Sequence, residues 1–267
     1  MRLAAVLTAA ALLFAAAAGL AETPAPLAAV RHRIESSDFR ATGQLVRVDA
    51  DGRRTRFDLS VKGLWFHGAL HTLVEAVPSK GAAADGNNEP LRILLEARPD
   101  GRDSIRIFRP HAAASVLLPP AQWGQGFLGT AFSYEDLLDP QYFWPEQTLL
   151  GSASFGGRSC DLLQSAPASS DRTSYSAVRT WLDHALAYPV HAEKTPRQGG
   201  SVKEITYYGL RQSSGVWSAT QIEAKMRGQA GSALWIVKRG SAKAHLSAND
   251  FQPGTAGRFA SRFEDRP

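Results

Sequence analysis

The stretch Phe127-Leu128-Gly129-Thr130-Ala131-Phe132-Ser133-Tyr134-Glu135-Asp136-Leu137 decides how this chain is read. Ser133 suits a helix N-cap, and Asp136 falls three residues on, where a capping-box carboxylate reaches back to a free N–H. Phe132 and Leu137 then hold the two positions of a hydrophobic staple. Glu135 and Asp136 lie in the first turn, where the helix dipole favours negative charge. Pro140 ends the helix early, because the residue before a proline avoids the α region. The spacing therefore predicts one short helix in a chain that otherwise reads as strands.

Outward from that point the dominant pattern is alternation with period two, broken by turn signals. Residues 41–49 and 55–62 flank Asp51-Gly52, and in the second segment Phe57, Leu59 and Val61 alternate with polar residues. Residues 91–98 and 104–108 flank Asp100-Gly101, a hairpin signal. Further strands are expected at 189–195, 201–210, 216–226 and 233–239, separated by Gly199-Gly200, Ser213-Ser214-Gly215 and Gly228 to Gly231. The sum is about ten sequential, antiparallel strands. No strand–helix–strand alternation points to a parallel sheet. The class is mainly β, and a sheet this long curls rather than staying flat. Period-two strands alone do not distinguish a half-open barrel from a closed barrel or a sandwich.

The first 21 residues read as a secretion signal: Arg2, an apolar run from Leu3 to Ala18, and a small-x-small site ending at Ala21. Residues 22–38 read as an N-terminal arm, Ala/Pro-rich and loose over 22–30, with 39–253 as the β domain and 254–267 as a disordered tail. Ser79 to Asn88 reads as a polar, mobile insertion. No Cys follows the cleavage point to take an acyl anchor, so the expected product is exported and soluble, in the periplasm. Cys160 is the only cysteine, so no internal disulfide forms and the core must stabilise itself. The net charge of +5 is mild and dispersed, and no basic run interleaved with aromatics suggests a nucleic-acid platform.

Residues 127–137 also resemble the signature of outer-membrane lipoprotein-sorting-like proteins, the LolA-like group. The downstream order is similar to that group too: a strand bearing Gly151, then Tyr175 to Asp183 with Trp181, then Tyr188-Pro189-Val190, Gly215-Val216-Trp217 and Asp250-Phe251. The resemblance covers roughly residues 39–253. It implies an incompletely closed β-barrel whose concave face is lidded by short helices. It also implies a carrier for a lipid or acylated lipoprotein in envelope trafficking, with an inner-membrane envelope transporter as a further partner and only peripheral membrane contact. The alternative is a non-enzymatic interaction module accessory to a transporter.

Candidate chemistry is sparse. His67, His71 and Glu75 share a face, but on a strand residues four apart stand about 13 Å apart, too far to bind one ion together. No G-x-S-x-G elbow occurs, and nothing ties His184, His191 or His245 to a serine. Glu135 and Asp136 could form an acid–base pair, but capping accounts for both. Cys160 reads as a small buried apolar side chain. No catalytic residue, metal or cofactor is expected, and the protein does not read as an enzyme.

The aromatics are the better lead. Most of them fit an ordinary core, but a curved sheet with helices on its inner face can instead leave an apolar cavity that suits an acyl chain, at about 0.8 kcal/mol for each buried CH₂. The expected lining or lid residues are Trp65, Phe108, Phe127, Phe132, Tyr134, Leu137, Trp181, Trp217 and Trp235.

Overall fold

The structure, a computed structural model, describes residues 23–79, 89–109 and 114–252. The expected secretion signal, most of the polar insertion and the C-terminal tail lie outside the described residues. Among the described residues there are fifteen strands. The first six are β1 (Asp38–Val48), β2 (Arg54–Phe66), β3 (Ala69–Pro78), β4 (Leu91–Ala97), β5 (Ser104–Phe108) and β6 (Val116–Leu117). Then follow β7 (Glu146–Phe155), β8 (Arg158–Ala166), β9 (Tyr175–Asp183), β10 (Tyr188–Pro196) and β11 (Lys203–Tyr208). The last four are β12 (Arg211–Ser213), β13 (Val216–Ser218), β14 (Gln221–Met226) and β15 (Ser232–Ala242).

Thirteen of these form one sheet in the order β6-β5-β4-β3-β2-β1-β15-β14-β11-β10-β9-β8-β7, while β12 and β13 form a separate ribbon. Every pairing is antiparallel. Each strand is rotated relative to its neighbour, and the twelve such rotations across thirteen strands curl the sheet. The order remains open, with β6 and β7 at its two edges. Those edges are consecutive along the chain. The segment between them therefore crosses from one edge to the other, over the concave face. This segment is the lid.

Three expectations need correction. The residues read as a loose arm form α1, Ala25–Glu35, whose Leu27 and Val30 are fully buried against Tyr142, Leu163 and Leu182. Pro at the first turn suits a helix start, and tertiary burial supplies what the Ala/Pro composition does not advertise. The run from Leu64 to Glu75 is two strands, not one. His67 and Gly68 both have positive φ (50° and 69°), the requirement of a type I′ hairpin turn, so His67 sits in the turn and only His71 and Glu75 lie on β3. Residues 216–226 likewise divide into β13 and β14, because β13 folds back onto β12 instead of continuing.

The short helix is also less than an α-helix. Residues 135–137 form a single 3₁₀ turn, and a second spans Pro140–Phe143. Asp139, at φ 47°, reverses the chain between them. The capping box itself is present. The Ser133 N–H donates to Asp136 Oδ2 at 2.7 Å, and the Asp136 N–H donates to Ser133 Oγ at 3.3 Å.

Candidate functional site

The lid touches the sheet in two chemically different ways. Its tip is a tight loop. The Phe127 N–H donates to Phe132 O at 2.7 Å, the Thr130 hydroxyl donates to Phe127 O at 2.8 Å, and Gly126 bridges to Ser133. A Cβ on Gly126 would sit 2.5 Å from Thr130 O, so no other residue closes the loop this way. The loop drives Phe127, Leu128 and Phe132 onto Leu45, Phe57, Leu59, Ile93, Leu95 and Ile105 of β1, β2, β4 and β5, within one apolar cluster. Leu118, Trp123, Leu138 and Trp144 complete the lid's buried share of that cluster. Phe132 meets Trp235 of β15 edge to face with ring centroids 6.4 Å apart, and Phe127 meets Tyr134 at 5.9 Å. Leu128 adopts φ 53°, a left-handed conformation that costs a non-glycine residue about 1–2 kcal/mol.

Next along the lid the contact becomes ionic. Asp136 has no exposed side-chain surface. Its Oδ1 lies 3.1 Å from Lys194 Nζ and accepts the Tyr175 hydroxyl at 2.7 Å. Its Oδ2 lies 2.6 Å from Lys203 Nζ. Lys203 also donates to the Tyr175 hydroxyl oxygen at 2.9 Å. Lys194 reaches Asp139 Oδ1 at 3.4 Å as well. Burial alone would push the Asp136 carboxyl up, but Lys203 and Lys194 outweigh it and hold the group well below the carboxylate range. Burial likewise opposes the Lys194 charge, and Asp136 then Asp139 outweigh it and hold the ammonium above its ordinary value. Burial, reinforced by Asp136, keeps the Tyr175 hydroxyl protonated as a donor.

The neighbouring carboxylate is anchored separately. Glu135 is fully buried and accepts hydrogen bonds from the Thr173 hydroxyl, the Ser174 N–H at 2.9 Å and the Ser174 hydroxyl at 2.5 Å. The acidic pair is thus more than a helix cap. Capping explains the Ser133–Asp136 contacts, while the lysines of β10 and β11 hold Asp136 and the loop before β9 holds Glu135.

Five of the nine residues expected to line the site gather at this junction: Phe127, Phe132, Tyr134, Leu137 and Trp235 belong to or pack on the main cluster. The other four stand elsewhere. Trp65 stacks on Phe143 at 6.3 Å, outside that cluster. Phe108 follows Ile105 and Ile107 in the opposite phase of β5. Trp181 meets Phe155 and His191 on the outward phase of β9. Trp217 lies in the separate ribbon. A pocket of about 290 Å³ opens beside the lid tip, lined by Arg47, Val48, Asp49, Ala50, Gly129, Thr130, Ala131, Met226, Gln229, Ala230, Gly231 and Ser232.

Sequence reasoning missed Lys194, Lys203 and Tyr175. One signal was present: Lys194 shares its strand phase with Ala192, and Lys203 with Ile205, both in the apolar cluster. Of the groups considered for chemistry, His71 stacks on Phe66 at 3.8 Å and Glu75 pairs with Arg92 at 2.7 Å. Cys160 is buried, and burial raises its thiol pKa.

No curated protein matches this sequence. Several solved structures share the fold. A domain described as an outer membrane lipoprotein-sorting protein domain from Vibrio parahaemolyticus aligns with TM-score 0.73 at 20% identity, covering 85% of this chain and 94% of its own. A DUF1329 family protein from Desulfovibrio piger gives 0.70 at 16% identity, covering 85% and 94%. A LolA superfamily protein from Nitrosomonas europaea gives 0.61 at 15%, covering 83% and 93%. The likeness at these identities is one of fold. A family model described as "Uncharacterized protein" matches residues 84–255, more than half of the chain. The chain therefore belongs to that family, and the open, lidded sheet that it folds into is LolA-like.

Proposed function

We propose that this protein is a carrier for a lipid or an acylated lipoprotein in the periplasm, acting in envelope trafficking. The observation that carries this reading is the nature of the cover. The main apolar cluster lies between a continuous sheet and a lid built only from short 3₁₀ turns and irregular chain. With so few regular backbone bonds, such a lid is held to the sheet by its side chains rather than by a hydrogen-bond ladder. An acyl chain could take the place of Phe127, Leu128 and Phe132 on the concave face with little change in apolar contact. Two fold relatives, one described as a lipoprotein-sorting protein domain and one as a LolA superfamily protein, support the same reading.

A second reading has its own support. The lid's aromatics fill the concave face, which suits a self-filled module that docks to an envelope transporter. Native mass spectrometry of the protein after gentle extraction separates the two. A carrier retains an apolar molecule and, once stripped, takes up a fluorescent fatty acid. Uniformly ligand-free protein that takes up none would sink the carrier reading and leave the docking module.

A further inference from the structure

Lys194 and Lys203 are direct register partners on β10 and β11. Both side chains are buried, with 1% and 8% exposure, and both sit in the inward phase of their strands. Like charges directly opposite one another on adjacent strands destabilise a sheet, and burial deepens that cost. Among the described residues, the carboxylates that reach this pair are Asp136 and Asp139, both on the lid. The cations thus belong to the sheet and the anions to its cover. Were the lid to lift, as the carrier reading requires, the two ammonium groups and the Tyr175 hydroxyl would be left on the concave face without these anions.

We propose that Lys194, Lys203 and Tyr175 form a seat for the anionic headgroup, carboxylate or phosphate, of an acidic lipid, and that Asp136 occupies this seat while the lid is closed. The inference rests on the carrier reading and specifies its ligand class. Asp136 shows the required shape. One oxygen takes Lys194 and Tyr175 and the other takes Lys203, and a carboxylate or phosphate presents the same two oxygens. The acyl chain continues along Val178, Ala192, Ile205 and Ala224, which are buried in the apolar cluster. A neutral lipid would leave both ammonium groups unpaired, so the lid itself selects against it.

The test compares oleate, methyl oleate and inorganic phosphate as competitors for a bound fluorescent fatty acid on the full wild-type chain. The expected result is oleate at least about tenfold tighter than methyl oleate, with phosphate far weaker than oleate. The preference should fall to within about twofold in the charge-free variant Asp136→Asn/Lys194→Met/Lys203→Met. If that variant does not fold, Lys203→Gln should still reduce the preference at least about threefold. Equal affinity for oleate and methyl oleate overturns the headgroup seat and leaves the carrier intact. Phosphate that competes as well as oleate overturns a lipid headgroup in favour of a free-anion site. Preference retained in the variants overturns the assignment to the lysines. Failure of both lipids to bind overturns the seat and the carrier together.

Discussion

The tip and the ionic step of the lid lie a few residues apart yet hold the sheet by opposite physics. Phe127, Leu128 and Phe132 are buried among aliphatic side chains, in a contact without direction that another apolar chain can replace. Asp136 is held by two lysines and a tyrosine, in a contact that only another anion of similar geometry can replace. In the carrier reading proposed above, the first contact would make exchange with a ligand inexpensive. The second would fix where the lid closes and penalise opening without a substitute charge. Buried ion pairs are often no more stabilising than an apolar core of equal volume, but breaking one by removing a single partner is costly.

Removing the carboxylate should produce the largest effect. Asp136→Asn leaves Lys194 and Lys203 facing each other and should cost about 3–5 kcal/mol at neutral pH, measured by urea unfolding. Its pH dependence carries the sign. The folded Asp136 carboxyl titrates below its unfolded value of 3.8, so its contribution is present above that pH and is lost as pH falls below it. The gap between wild type and variant should therefore narrow below about pH 4, and a gap constant down to about pH 2 would mean that the carboxylate is not the anchor.

At the tip, Leu128→Ala should cost about 2–3 kcal/mol, with no dependence on pH between about 3 and 8. A pH-dependent loss there would show that the two contacts do not act separately. The smallest effect lies beyond the lid. Burial, followed by the nearby negative charges of Glu135, Asp100 and Asp171, raises the Asp103 carboxyl to about 6, although its Oδ1 accepts the Arg98 N–H at 2.7 Å. A raised carboxyl pKa means that stability is lost as pH rises from about 4 through 6. Asp103→Asn keeps the acceptor and removes the charge, so it should raise Tm by roughly 2–4 °C at pH 7.5 and leave it unchanged near pH 4. Equal shifts at both values would place the effect elsewhere.

The legible part of the site was local. The Ser133–Asp136 capping box, the hairpin turns at Asp51-Gly52 and Asp100-Gly101, and the apolar phase of Phe57, Leu59 and Val61 all follow from spacing within a few residues. The staple spacing singles out Phe132 in the same way, whereas Phe127 comes forward through the family resemblance. The ionic anchor was not legible, because it joins residues far apart in sequence: Asp136, Tyr175, Lys194 and Lys203. Lys194 stands in Glu193-Lys194-Thr195, which reads as an ordinary solvated strand end. Only the pairing of β10 with β11 sets it opposite Lys203, and only the crossing lid sets Asp136 between them.

The amino-acid sequence by itself determined the class of the protein: period-two strands with turn residues between them, and one capped turn in their midst. Those signals are set by backbone sterics and by hydrogen bonds that close over three or four residues. The tertiary structure alone decided that the sheet stays open with β6 and β7 at its edges, that α1 packs instead of trailing, and that the acidic pair is an anchor. These depend on strand register and on burial by distant segments, and the energy of a buried charge is fixed by what surrounds it rather than by its neighbours along the chain.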